Sequence, residues 1–542
     1  MTQAFDYIVI GAGAAGSVVA SRLAARPGLR VLVLEAGGTD RRLWVRVPIG
    51  YGRTFNDPTL NWCYRSAPVA GLGGRAVYLP RGKVIGGSSS INAMVYCRGV
   101  PGDFDDWRDA GNSRWGWADV VPAFEAIERR IGPDGASEGS GPLTVADRSA
   151  DYHPFGRHFL AAAGEAGFVR IGDLNAPPHE GVAPYHLNIQ DGRRFSAADA
   201  FLRPALATGR VGLVKGAEVE RIGFEGRRAR TVRYHQGGAV HEVRAEAEII
   251  LCAGAVGSPA LLLRSGVGTV SDLKALGIAP VAESPHVGAN LQDHIGIDYF
   301  YRTSEPTLNR ELAAWPARIR AGLRYVLSRK GPLSLSVNQY GGLVRSDPAL
   351  ARPDVQLYCN PLTYSKSGTD KREILEPDRW DAFTLGFSTC RPQSRGRVTL
   401  AGPDPRAAPV IQPDYLASEA DRAGVLASAR LIARIAATPA MTAVIERPYV
   451  FDPAGADDEA LLADFRARSG TVHHLCGTCR MAPADRGGVV GSDLSVHGTE
   501  GLRVIDASAF PNITSANTLA PTVMLAWIAA GRMLEQNFAG TP

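Results

Sequence analysis

The apolar positions of this chain recur in three distant blocks with one rhythm, a short buried strand followed by a glycine turn or a helix. Tyr7 to Ile10 is an apolar run, Ala15 to Ala25 carries helical spacing, and Arg30 to Leu34 forms a second strand. Ala247 to Leu251 repeats the strand and leads through a glycine turn to a helix over Pro259 to Arg264. Leu502 to Asp506 precedes a last helix from Pro521 to about Phe538. Strands that alternate with helices predict one parallel sheet, here assembled from separated stretches of chain. Between 300 and 470 the pattern changes. Strand-like segments such as Val355 to Tyr358 and Arg397 to Leu400 are punctuated by Pro and Gly, which predicts an antiparallel sheet in a separate domain.

Composition narrows the class without naming a function. A chain of 542 residues exceeds one ordinary hydrophobic core, so two domains are expected. Apolar residues are 45% and charged residues 21%, the balance of a globular protein. The net charge of +5 is mild for this length, and short basic pairs such as Arg193-Arg194 form no stripe, which argues against a nucleic-acid surface. Seven scattered cysteines suit a reducing compartment better than a disulfide framework. The first residues lack a basic region, and no run nears the roughly 20 apolar residues that span a bilayer. The expectation is a cytoplasmic protein with no integral membrane segment.

Chemistry begins at Gly11-Ala12-Gly13-Ala14-Ala15-Gly16, which follows the first strand and opens the first helix. Glu35 closes the next strand about 20 residues on, the context a dinucleotide site needs. The glycines let backbone N–H groups meet a pyrophosphate at the helix N-terminus, and Glu35 is placed to accept from ribose hydroxyls. FAD and NAD share this fingerprint, so the turn alone does not choose between them.

Longer motifs decide. Gly82-Lys83-Val84-Ile85-Gly86-Gly87-Ser88-Ser89-Ser90-Ile91-Asn92, continuing through Tyr96 and Gly99, resembles the first signature of the glucose-methanol-choline oxidoreductases. The second signature is similar from Gly254 through Ser258-Pro259 to Gly268, and Asn290-Leu291-Gln292-Asp293-His294, Ser394-Arg395-Gly396 and the block from His474 to Thr522 continue the match in order. The chain is thereby identified as a member of that family, in its choline dehydrogenase-like branch. The resemblance implies an α/β FAD-binding domain, Rossmann-like with a mostly parallel sheet, from 1–160, 205–300 and 470–542. A second α+β substrate domain on an antiparallel sheet then takes 161–204 and 301–469. It implies FAD contacts at Gly11, Gly13, Ala14, Ala15, Gly16, Glu35, Ala36, Val84, Gly87, Ser88, Asn92, Ala93, Met94 and Val95. Val219 falls beside the adenine, and His473, Asp506, Ala507, Asn517, Thr518 and Leu519 complete the set. Some relatives bind the flavin covalently through a histidine where Ile91 stands, so FAD here is expected to be non-covalent.

His474-Leu475-Cys476-Gly477-Thr478-Cys479-Arg480-Met481 resembles the family's active-site motif and implies that His474 takes the substrate's hydroxyl proton. A histidine, with its reference pKa of about 6.5, suits that task. Asn517, opening Asn517-Thr518-Leu519-Ala520-Pro521-Thr522, matches the second catalytic position, although an asparagine capping the last helix has the same sequence appearance. Leu519 departs from the second asparagine of many relatives. Cys476 and Cys479 have thioredoxin or zinc-knuckle spacing but lack either context, so no metal is expected. The resemblance implies oxidation of an alcohol CH–OH group to the carbonyl, with hydride to flavin N5 and oxygen, a quinone or a cytochrome as electron acceptor. The alternative is a lyase that holds FAD without redox use, as the hydroxynitrile lyases of the family do. Trp44, Tyr51, Trp62 and Trp380 are candidate pocket walls, and Val45 to Pro68 is a candidate lid.

Overall fold

The computed structural model describes residues 5–365, 374–402, 404 and 406–538. The three apolar blocks do form one sheet. Its strands lie in the order Val211–Lys215, Val31–Glu35, Phe5–Ile10, Ala239–Leu251, Arg228–Gln236 and Glu218–Glu225, and Leu502–Val504 pairs beside Ala239–Leu251. The 13-residue strand Ala239–Leu251 serves two neighbours. Its first half pairs antiparallel with Arg228–Gln236, and its second half pairs parallel with Phe5–Ile10. The Phe5–Ile10, Val31–Glu35 and Val211–Lys215 pairings are parallel. Sheet faces covered on both sides explain why Ile8, Val9, Val31 and Val33 are completely buried.

The second sheet runs Ile445–Tyr449, Ile295–Thr303, Ala382–Thr389, Val355–Asn360, Tyr340–Val344 and Gly181–Pro184, every neighbouring pair antiparallel. The expected strand near Arg397 exists as Arg397–Thr399, but it pairs with Val410–Gln412 in a separate two-stranded ribbon. Each sheet carries its own hydrophobic core.

Two helices begin earlier than their prolines suggest, one at Gly254 (Gly254–Arg264) and one at Leu519 (Leu519–Phe538). Proline favours a first-turn position. Pro259 instead lies inside its helix and leaves the Ala255 carbonyl without its usual N–H donor. The Thr478 hydroxyl donates to that carbonyl at 2.7 Å, so the His474 motif repairs the helix that the second signature builds.

Candidate active site

The helix Ala14–Ala24 opens on Gly13, with no side-chain cap and no acid in its first turn, which leaves its N–H groups facing outward for an anion. Gly11 has φ +104°, and a Cβ on Gly16 would stand 1.9 Å from the Gly11 carbonyl oxygen. Only glycine permits this turn. The first signature closes over it: Gly86 N–H donates to Ala12 O at 2.8 Å, and a Cβ on Gly87 would lie 2.8 Å from Gly13 Cα. Glu35 accepts from Ala12 N–H at 2.8 Å and Gly37 N–H at 2.7 Å, which binds the turn to the end of its strand. Each carboxylate oxygen keeps a lone pair for a ribose hydroxyl. Burial pushes Glu35 up to about 7, against the pull of those two N–H groups. Val219 sits beside this end, because Ala217 N–H donates to Glu35 O and fixes the following strand. Val84 is buried and bridged to Gly38, and Ser88 Oγ accepts from Gly82 N–H.

Asp506 ties the distant pieces together. One oxygen accepts from Gly254 N–H at 2.8 Å and Ser258 Oγ–H at 2.6 Å, and the other from Ser508 N–H at 2.8 Å. Ala507, Ser508 and Ala509 then accept from the N–H groups of Gly477, Cys479 and Met481 in turn, so the His474 segment is laced to the turn that follows the last sheet strand. It runs along the seam of the two cores, with Leu475 in the second and Cys476, Cys479 and Met481 in the first. Asn517 occupies the same seam between Ala516 and Ala520.

A bulge aims the histidines. Ile295 pairs with Thr471 and Gln292 with Cys476, so residues 472–475 stand opposite only residues 293 and 294. His473 absorbs the excess in the left-handed region, at φ +72°. Asp293 accepts from His474 N–H at 2.7 Å and from the Tyr415 and Thr471 hydroxyls, and so holds the bulged backbone. The His473 ring lies 5.2 Å from the Phe55 ring, which packs in turn on Tyr51.

One ordered hydrogen-bond chain crosses the seam. Cys390 O can only accept, so His294 Nε2, at 2.8 Å from it, carries a proton. Neutral His294 then accepts at Nδ1, and the partner 2.8 Å away, His474 Nδ1, carries the proton between them. This leaves His474 Nε2 as an acceptor, and the Asn517 amide N–H donates to its lone pair at 3.1 Å. Asn517 is oriented from the other domain: Gln356 Nε2 donates to its oxygen at 3.3 Å, and Tyr358 donates to Gln356 Oε1 at 2.8 Å. Burial pushes His294 down to about 4. His474 is held well below its ordinary value, first by burial and then by His294, His473 and Arg81. Both rings are neutral near pH 7, as the chain requires.

Two family models match, each described as GMC oxidoreductase, the N-terminal one over residues 5–296 and the C-terminal one over 392–526. The chain is a GMC oxidoreductase. It is 38% identical over 531 residues to an alcohol dehydrogenase [acceptor] of Pseudomonas putida, covering 97% of this chain and 95% of that one. It is 36% identical over 538 residues to human mitochondrial choline dehydrogenase, covering 97% and 89%. The solved structure of pyridoxine 4-oxidase from Mesorbium loti superposes with a TM-score of 0.86 at 32% identity, covering 97% and 99%. This GMC oxidoreductase is therefore an FAD-dependent enzyme that oxidises alcohol CH–OH groups, and relatives named as dehydrogenases and oxidases do not favour the lyase alternative.

The residues present fit FAD. The glycine turn admits a pyrophosphate, Glu35 keeps lone pairs for ribose hydroxyls at the end of the next strand, and the first signature closes over the turn. Asn92 Oδ1 accepts from Met94 N–H at 3.1 Å and shapes the stretch through Ala93 and Met94, whose φ is +64°, to Val95. Ala36 and Thr518 stand half-buried at the ends of their elements, and Leu519, the departure from the family pattern, packs against the first core.

Several residues around His474 and Asn517 carry no local sequence signal for the role they take. His294, Cys390, Gln356 and Tyr358 join those two side chains in one hydrogen-bond chain through pairing of distant strands. Arg194, 2% exposed, donates to the carbonyls of Val45 and Ser89 and to Asn92 Oδ1, bracing the first signature. Of the aromatic candidates, Tyr51 reaches the site through Phe55. Trp62 stacks on Tyr64, Trp44 lies under Arg53, and Trp380 packs on Tyr449. The candidate lid is strapped to the first signature, because Trp62 N–H donates to Arg81 O and Lys83 N–H to Leu60 O. Cys476 and Cys479 are buried with thiols pushed up by desolvation, the opposite of a reactive pair.

Proposed function

We propose that His474 Nε2 takes the hydroxyl proton of an alcohol while Asn517 Nδ2 donates to the same oxygen as charge develops on it. The observation that carries this reading is the ordered chain from Tyr358 to Cys390, which sets the His474 Nε2 lone pair and the Asn517 amide N–H against each other while residues of the other unit orient both side chains. FAD, when bound, supplies the acceptor for the hydride that leaves the carbinol carbon. Neutral His474 is ready to act without first losing a proton, and as imidazolium it still donates through Nδ1 to His294. Asn517 cannot titrate, so its donation to the oxygen persists across the working pH range.

We take 1–160, 205–300 and 470–542 as the FAD-binding unit and 161–204 and 301–469 as the substrate unit. Non-covalent FAD is supported by Ile91, a buried side chain that offers no nucleophile. The final electron acceptor is oxygen or a quinone or cytochrome. Seven free thiols support a reducing, cytoplasmic setting. No helix among the described residues is long and apolar enough to cross a membrane.

The test is anaerobic mixing of the yellow protein with a panel of primary and secondary alcohols. Bleaching of the flavin by at least one alcohol supports the reading. A protein that stays yellow against all of them while cleaving a cyanohydrin overturns it.

A further inference from the structure

The helix Trp315–Ser328 turns its apolar face outward. It is anchored by Ala321 and Tyr325, which are 6% and 4% exposed. On the opposite side Trp315, Ile319, Leu323, Val326 and Leu327 are exposed by 73, 46, 57, 68 and 83%. At about 100° per residue these five positions share one arc roughly 120° wide, a continuous stripe along about 21 Å of helix. Single exposed leucines are ordinary, but a contiguous stripe marks a contact surface.

Charge selects the partner. Arg320 and Arg324 flank one edge of the stripe, Arg318 and Arg329 the other, and Lys330 follows the last turn. From Leu312 through Ser346 the sequence contains no Asp or Glu. Glu311, half-buried before the helix, is the acid that faces Arg324 and Arg320. A second copy of this helix would set arginines against arginines with no acid to answer them, which disfavours self-association. An apolar arc of Trp, Ile, Leu and Val edged by arginines fits lipid acyl chains beneath anionic headgroups. The helix is too short to span a bilayer, so it would lie in the surface.

We propose that Trp315–Ser328 docks this GMC oxidoreductase onto an anionic phospholipid surface. The chain that follows the helix leads to the active site. After the helix the chain forms the turn Pro332–Ser334, which packs against Pro48–Gly50, and the next residues include Tyr51 and Phe55, the ring that meets His473.

The experiment is flotation of the purified holoenzyme with vesicles of phosphatidylcholine alone and of equal parts phosphatidylcholine and phosphatidylglycerol. The enzyme is expected to float with the anionic vesicles, less as salt rises, and to stay behind with the neutral ones. The exposed double variants Leu323→Glu/Val326→Glu and Arg320→Glu/Arg324→Glu should each weaken partitioning roughly tenfold or more. Both should keep their alcohol turnover with a soluble acceptor, which shows that they are folded. Absence of flotation, or flotation indifferent to both variants, overturns the proposal. So does a lipid-free dimer in sedimentation that Leu323→Glu abolishes, because a second copy would then cover the stripe.

Discussion

The Nδ1 atoms of His294 and His474 lie 2.8 Å apart with their rings nearly perpendicular, at 87°. Two nitrogens that close share one proton, and the Cys390 carbonyl decides which ring owns it by claiming the other proton of His294. His294 is thus a positioning residue for the tautomer of His474.

Removing the partner should therefore cost rate and leave the cofactor in place. His294→Phe is expected to bind FAD normally and to lose roughly ten- to a hundredfold in kcat/KM, because His474 Nδ1 loses its acceptor and the ring its orientation. His294→Asn, with an amide oxygen able to accept, should recover part of the loss. Steady-state kinetics on the two variants check this, and equal loss in both contradicts it.

The pH profile follows from the direction of the shifts. His474 must be neutral to accept a proton, and burial holds its pKa well below the ordinary histidine value. Catalysis is lost only as pH falls through that lowered value. The kcat/KM profile should thus stay flat from pH 7 down past about 6.5, the reference histidine value, and decline only at more acid pH. An acid limb at or above the reference value contradicts the assignment.

The dinucleotide turn predicts a cofactor phenotype. The Cβ of Gly16→Ala would meet the Gly11 carbonyl oxygen at 1.9 Å, so the turn must open. The variant should purify with little or no flavin absorbance while its far-ultraviolet circular dichroism stays close to that of the parent. Full flavin occupancy contradicts this reading.

Thr478 offers a stability test away from the chemistry. Its hydroxyl satisfies the Ala255 carbonyl that Pro259 leaves without a donor. Thr478→Val keeps the volume and strands that carbonyl, at a cost of about 1–3 kcal/mol. Denaturant unfolding should show the loss, and an unchanged midpoint would mean that the carbonyl finds another donor.

The legible parts of this protein are those a local backbone demands. The Gly11–Gly16 turn and Glu35 are readable because steric limits and a strand–turn–helix context specify them within one stretch of chain. His474 and Asn517 follow from spaced motifs, though nothing in their neighbourhoods shows that they converge. His294 stands inside a quoted motif, yet its role depends on four residues bulging opposite two, a register set by pairing between distant strands. Gln356 and Tyr358 alternate with apolar residues in a segment that reads as a strand, but nothing in that alternation shows that they reach Asn517. Pro259 and Pro521 mislead for a physical reason. Proline prefers the first turn: Pro521 keeps that place in a helix that opens two residues earlier, whereas Pro259 lies inside its helix, where Thr478 answers the carbonyl it strands.

Flavin reduction in His474→Ala is the most direct measurement. In anaerobic stopped flow with a turned-over alcohol, the variant should hold FAD as the parent does and reduce it roughly 10²- to 10⁴-fold more slowly. Reduction at the parent's rate would contradict the assignment of the proton to His474 Nε2.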